Sequence, residues 1–419
     1  MKNKLEKIRD LLKRNKTIVL NYNYLSVLEI AGVLIPLLTY PYLINVLGQE
    51  LYGLVITAQI ISSYCGIVVN FGFARISARD ISINKGNNQK LSEVLSSIFI
   101  IRSLALLVSS ILFILVVQLV DVYRENSLLF YASFFLVLET YLFPQFYFQG
   151  IEKMKFITII TVISRLISMI LIFSIVKHQD DYLWVPVIFS FGYLIRGFIG
   201  IFIILKKHNL WLYIPSFKSI KLYIKDASPI LLTDAIASIK DKANYILLGK
   251  LIGMKEVVIY DLGVKLMNIT VKPITVLSIV LFPRISREQN KKTFWKSFKF
   301  AVLVMILLIL FLNLILEKVV FIFLKESINL LPLRLFSIAP FFLALSSLIS
   351  TNVIIAFKKN VFILYSILIT TLIYIILVLF IVMNPKNISL LTFIGITVLS
   401  YLTEFVYRMI VSIKITRIK

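Results

Sequence analysis

The stretch SEVLSSIFIIRSLALLVSSILFILVVQL, Ser92 to Leu119, holds a single charge, Arg102, past the glutamate at its entrance. A helix of that length reaches about 42 Å, more than the roughly 30 Å of a bilayer's hydrocarbon core. A soluble core helix has no use for so long an apolar run, so the stretch reads as a membrane span. The rest of the chain agrees: of 419 residues, 59% are hydrophobic and 16% charged, and mean hydropathy is +0.93. Soluble domains hold about 45–50% apolar and 25% charged residues. Working outward between charge and turn clusters, apolar runs fall at 18–47, 51–73, 92–119, 127–149, 157–176, 182–205, 228–250, 257–282, 299–316, 328–356, 361–383 and 388–411. Twelve spans with short loops use up the chain and leave no room for an attached soluble catalytic or nucleotide-binding domain.

The 45 Lys and Arg against 21 Asp and Glu give a net charge of +24, and their placement decides what it means. Residues 1–16, 74–90, 150–156, 206–227, 283–299, 357–360 and 412–419 hold 29 basic residues, and the intervening loops hold seven. That asymmetry is the positive-inside signal and predicts that both termini are cytoplasmic. The excess charge then marks topology, and no nucleic-acid partner is needed. Within residues 1–16, Leu5, Ile8, Leu11 and Leu12 share one helical face with basic residues elsewhere. The segment reads as a cytoplasmic basic amphipathic helix on the inner leaflet, or as a basic tail that only sets topology. The longest polar connection, 211–227, follows the sixth span and separates an N-terminal lobe, 17–210, from a C-terminal lobe, 228–419. The expected fold class is therefore all-α and polytopic, about 12 transmembrane helices in two six-helix lobes around a central cavity. Pro36 and Pro41 interrupt the first span, which makes it the expected bending or gating helix.

Several chemistries drop out. Gly249-Lys250 has Asn244 where a phosphate-binding loop needs its first glycine, so the chain does not hydrolyse ATP. One cysteine, Cys65, forms no intrachain disulfide, and His178 and His208 alone build no multi-histidine metal site. No cofactor and no metal are implied, and no catalytic residue is assigned. Every loop on the face with few basic residues is about ten residues or shorter, which lowers the odds of a membrane polymerase or glycosyltransferase.

Nine basic residues remain inside spans, each costing at least about 2.5–3.5 kcal/mol at the bilayer centre unless it meets a partner or a wet cavity. Arg102 lies about ten residues from the inner end of its span, and Arg165 and Arg196 about nine from theirs, a common depth of roughly 14–15 Å. They read as a cationic collar in the first lobe, or as structural bridges to Glu29 and Glu139. In the second lobe Asp261, Lys265, Asn268 and Lys272 fall on one face of span eight. Asp234, Ser238, Asp241 and Tyr245 repeat those offsets on span seven beside Lys240. The two stripes read as a water-lined wall in which Asp241 pairs with a lysine, or as a packed network of ion pairs. Glu404 and Arg408, four apart, read as a local pair. A cavity richer in positive charge suits an anionic, phosphate-bearing substrate.

The segment Pro144-Gln145-Phe146-Tyr147-Phe148-Gln149-Gly150-Ile151-Glu152-Lys153-Met154 is similar to the P-x-W-x-F-Q-G-x-E-x-M segment of the O-antigen (Wzx-type) flippases. These are polysaccharide-biosynthesis membrane proteins of the multidrug/oligosaccharidyl-lipid/polysaccharide exporter superfamily. An aromatic, Phe146 or Tyr147, stands for the family's tryptophan. Further matches include Phe71-Gly72-Phe73, Leu248-Gly249 and Phe282-Pro283-Arg284, and the resemblance runs through most of residues 18–290. It implies translocation of an undecaprenyl-diphosphate-linked oligosaccharide, an O-antigen or capsule repeat unit, across the bacterial inner membrane by alternating access. Substrate-binding residues would be Arg102, Arg165, Arg196, Lys240, Lys265 and Lys272. Asp241, Glu29 and Asp261 would serve coupling to H+ or Na+. Membrane lipids and a polymerase of the pathway are the further partners the resemblance implies. The alternative within the same fold is a cation-coupled drug or small-molecule antiporter, against which the excess of central cations argues, since such a cavity repels a cationic cargo.

Overall fold

A computed structural model of the chain describes residues 16–288 and 291–417. The amphipathic segment expected over 1–16 lies outside the described residues apart from Lys16. Among the described residues every regular element is helical. In chain order the α-helices are α1 (Lys16–Asn70), α2 (Phe73–Ile83), α3 (Asn88–Leu119), α4 (Asp121–Glu125), α5 (Ser127–Phe134), α6 (Val137–Leu142), α7 (Gln145–Gly150), α8 (Met154–Ile175) and α9 (Trp184–Phe202). They continue with α10 (Phe217–Leu251), α11 (Met254–Glu288), α12 (Lys291–Leu324), α13 (Leu331–Phe336), α14 (Ala339–Ile349), α15 (Val361–Val382) and α16 (Leu390–Arg417). Ten helical stretches among the described residues are long and apolar enough to cross a membrane. The chain is an all-α multi-pass membrane protein. Ten falls short of twelve for two physical reasons. The first two expected spans lie in one helical run, α1, and α10 carries Asp234, Lys240, Asp241 and Lys242 in the stretch expected as span seven.

Two expectations about helix breaks move. Pro36 and Pro41 stay inside α1, whose backbone leaves helical geometry instead at Gly48, φ 78°, ψ 163°. That conformation is open to glycine and costly for other residues. The run expected over 127–149 is the discontinuous one, split into α5, α6 and α7. Pro144 has no N–H and pushes Phe143 into an extended conformation (ψ 110°) between α6 and α7.

The chain divides into two compact units. The first comprises residues up to Leu47 together with Ile61–Leu232. One of its cores packs α2, the start of α3, Phe143, α7 and α8 around Phe73, Leu95, Phe146, Phe148 and Ile157, with Ile220, Tyr223, Ala227 and Ile230 of α10 laid against them. The stretch 211–227, expected as a linker, thus packs on this unit. At Gly72 (φ 73°) a β-carbon would stand 2.8 Å from Ile230, so the turn from α1 to α2 needs glycine for both its conformation and its closeness to α10. Helices α8 and α9 meet through small residues: Ser164 Oγ donates to Gly192 O, and a β-carbon on Gly192 would lie 2.2 Å from Ser168 Oγ. The second unit comprises Gly48–Ile60 and Thr233–Lys419, with a core of α11, α12, α14 and α16 residues including Ile274, Phe294, Met305, Leu348 and Val411.

Candidate functional site

Within the first unit, the break at Pro144 shapes a cavity of about 250 Å³. Arg102 of α3 and Arg196 of α9 both line it, with Asn70 at the end of α1, Glu139 of α6, and Gln145, Phe146 and Gln149 of α7. Arg102 is 3% exposed. Its Nη2 donates to Asn70 Oδ1 at 3.2 Å and its guanidinium lies 4.9 Å from the Phe146 ring centroid, while Nε and Nη1 have no hydrogen-bond partner. A buried guanidinium with unused donors costs stability, because desolvation is not repaid by full hydrogen bonding. Arg196 is differently placed: it forms an ion pair with Glu139 and stands 4.5 Å from the Phe143 centroid. The two arginines therefore rest on two phenylalanines, Phe143 just before Pro144 and Phe146 two residues after it.

Of the two aromatics expected to stand for a tryptophan, Phe146 carries Arg102. Tyr147, the other aromatic, turns away and bonds His208 Nδ1 at 2.9 Å. Arg165 does not line this cavity; its guanidinium lies against Gly32 of α1, 2.9 Å from where a β-carbon would stand. Rise per residue sets the common depth expected of the three arginines, but helical phase sets direction. Arg196 follows Gly192 by four residues and so lies on the Gly192 face of α9, whereas Arg165 is offset by about 100° from Ser164. Glu29 is exposed on α1.

The second unit gathers its charges otherwise than the two-stripe pattern suggests. Asp261 pairs with Lys265 and accepts from Tyr245 Oη at 2.9 Å. Lys272 is half-buried on α11. Asp241, 46% exposed at its side chain, has its ion partner in Lys240 at 3.7 Å and accepts from Tyr401 Oη at 3.3 Å. Lys240 is buried and donates to Glu404 at 2.6 Å across to α16, its ammonium 4.7 Å from the Tyr401 ring centroid. Glu404 also takes Arg408 at 2.7 Å, and Arg408 donates to Ser346 of α14 and Ser366 of α15. The Glu404–Arg408 pair is therefore part of a buried network joining four helices, not a local pair. Beside it Asn244 is fully buried: its amide donates to Tyr260 and Thr397 and accepts from Tyr374 at 2.6 Å. In sequence Asn244 showed only as the residue that breaks a phosphate loop; three helices' worth of partners lie too far along the chain to be read there. Among the described residues no group of three His, Cys, Asp or Glu is placed to hold a metal ion.

The fold resembles two solved structures over most of its length. One is the lipid II flippase MurJ in an inward closed conformation, with a TM-score of 0.67 at 16% identity over 94% of this chain and 87% of that one. Another is an inward-facing multidrug resistance MATE family transporter of the MOP superfamily, with a TM-score of 0.66 at 13% identity over 92% and 96%. Two relatives bear the name "Putative O-antigen transporter". The Escherichia coli (strain K12) protein is 23% identical over 266 residues, and the Shigella dysenteriae protein is 28% identical over 262. These matches cover 64% and 62% of this chain and span 64% and 65% of the relatives' lengths. The family model described as polysaccharide biosynthesis protein matches residues 18–289, more than half of the chain, and the chain belongs to that family.

Proposed function

We propose that the chain is a flippase that moves an undecaprenyl-diphosphate-linked oligosaccharide, an O-antigen or capsule repeat unit, across the bacterial inner membrane by alternating access. The observation that carries this reading is Arg102: buried, short of hydrogen-bond acceptors, and lining a cavity that also holds the amides Asn70, Gln145 and Gln149 beside the Arg196–Glu139 ion pair. A guanidinium fork takes phosphate oxygens in pairs, and side-chain amides with an aromatic wall suit sugar hydroxyls and ring faces. Glu139 holds Arg196 in place, so Arg102 is the arginine assigned to the diphosphate. The polyprenyl tail would stay in lipid, where its transfer costs nothing. For coupling to H+ or Na+, Asp241 is the preferred acid, since its carboxylate is half open while Asp261 is closed in by Lys265 and Tyr245.

The test is reconstitution in liposomes, with leaflet exchange of a lipid-diphosphate-linked saccharide as the readout. Wild type is expected to exchange it without forming glycosidic bonds, and Arg102→Ala to weaken headgroup binding about 10- to 100-fold, the loss of one or two charge-assisted hydrogen bonds. Transport of lipophilic cations in place of the saccharide lipid, or new glycosidic bonds, would overturn the reading.

A further inference from the structure

The chain between α9 and α10 carries an unusual surface. Span Gln179–Lys207 ends in a π turn, Ile203–Lys207, and α10 begins at Phe217. Between them Trp211, Leu212, Tyr213 and Ile214 are consecutive and all exposed, Ile214 at 88%, and Phe217 follows at 78%. The segment is nevertheless fastened. Leu210 and Pro215 are buried at its ends. The backbone N–H groups of Trp211 and Tyr213 donate to Ser92 Oγ (3.2 Å) and Ser96 Oγ (3.0 Å), one turn apart on α3, and Ser219 Oγ donates to Glu93 at 2.5 Å. Bonding of alternate amides holds an extended strap against the first turns of a membrane-crossing helix.

Around this apolar strap stand Lys206, Lys207, Lys218, Lys221 and Lys225, all exposed. The position is set twice over: the strap leaves one apolar helix at Lys207 and lies beside the beginning of another, α3, so it sits at the level where both enter the bilayer. Exposed Trp, Tyr and aliphatic side chains ringed by lysines at that level match the composition of an interfacial segment. We propose that Trp211–Phe217 is an interfacial strap that inserts its apolar side chains at the headgroup boundary while the five lysines bind anionic phospholipid headgroups. The ligand is thus the anionic lipid surface itself, held on the way into α10. A protein partner would have to cover a surface already at lipid level, and five exposed lysines against one exposed acid beside them, Asp226, favour phosphate over a mixed protein face.

A protein whose sole tryptophan is Trp211, made with Trp184→Phe and Trp295→Phe, tests this in nanodiscs of phosphatidylcholine with or without phosphatidylglycerol. Bromine near the acyl carbonyl is expected to quench Trp211 more than bromine near the chain end, and aqueous iodide to quench it little. Lys218→Gln and Lys221→Gln should each weaken phosphatidylglycerol retention about fivefold, the effect of one lysine at an anionic surface. Should the tryptophan variants fail to fold, Ile214→Cys in a Cys65→Ser background, carrying an environment-sensitive label, gives the same depth reading. Iodide quenching at the level of a free indole would overturn the proposal. Shielding that ignores bromine and grows with protein concentration would also overturn it, identifying a second copy as the occupant.

Discussion

At the residue scale, stability and function pull Arg102 in opposite directions. Its buried guanidinium has two unpartnered nitrogens, so Arg102→Met removes a desolvated charge and is expected to raise stability by about 1–2 kcal/mol in thermal melts while headgroup binding falls. Arg196→Met removes the partner of Glu139, whose side chain is 31% exposed, and is expected to lower stability by about 2 kcal/mol, less than for a fully buried acid. Stabilisation by both substitutions, or by neither, would remove the distinction between the binding and the positioning arginine. His208, just past the end of its span, gives a pH reading. Burial, then Lys153 and Lys207, hold its imidazole below its ordinary value. The unfolded chain thus binds the proton more readily, and this contribution is complete above about pH 6.5 and lost as pH falls toward the depressed folded value. His208→Gln should flatten the stability profile in that acid window, as followed by melts across pH.

At the element scale, hydropathy carries the helices, and it does so because lipid leaves the backbone few alternatives. The breaks are harder. Pro36, Pro41 and Pro144 all lie in apolar runs, and of these only Pro144 ends a helix; nothing local separates it from the other two, since the outcome depends on whether neighbours fill the gap. Pairings are harder still. Glu404 and Arg408 are legible because they are four apart, whereas Lys240 is 164 positions from Glu404, and only the packing of α10 on α16 brings them together. The candidate cavity is legible in sequence as a depth, through Arg102 and Arg196, but not as a direction, which is why depth alone groups Arg165 with them. The network yields a contrast. Glu404→Gln leaves the buried cations Lys240 and Arg408 facing a neutral amide and is expected to cost about 3–5 kcal/mol. Asp241→Asn, at a half-exposed carboxylate, should cost less than about 1 kcal/mol. Equal losses in denaturation of the two purified variants would mean that the exposed acid belongs to the same buried network.

At the scale of the whole molecule, the decisive quantity is the split of 29 basic residues against seven between alternating sets of connections. The helices supply the alternation. In the first unit the turn at Asn84–Asn87 precedes α3 and the connection around Asn126 follows it, so the two must lie on opposite sides of the membrane if α3 crosses it. In the second unit the residues Lys358–Asn360 and the short helix Pro385–Asn387 flank α15 in the same way. Lysine and arginine are retained on the side where insertion starts, because moving them across works against the membrane potential at about 2.3 kcal/mol per charge per 100 mV. Connections rich in them therefore stay cytoplasmic. Single cysteines in a Cys65→Ser background, placed at Asn87 and Asn360, are expected to resist a membrane-impermeant thiol reagent added to intact cells and to react after lysis. Cysteines at Asn126 and Asn387 should react in intact cells. Because each pair flanks one helix, a result in which both members of a pair react from outside would mean that α3 or α15 does not cross, and full reversal would mean that the charge asymmetry does not orient this chain.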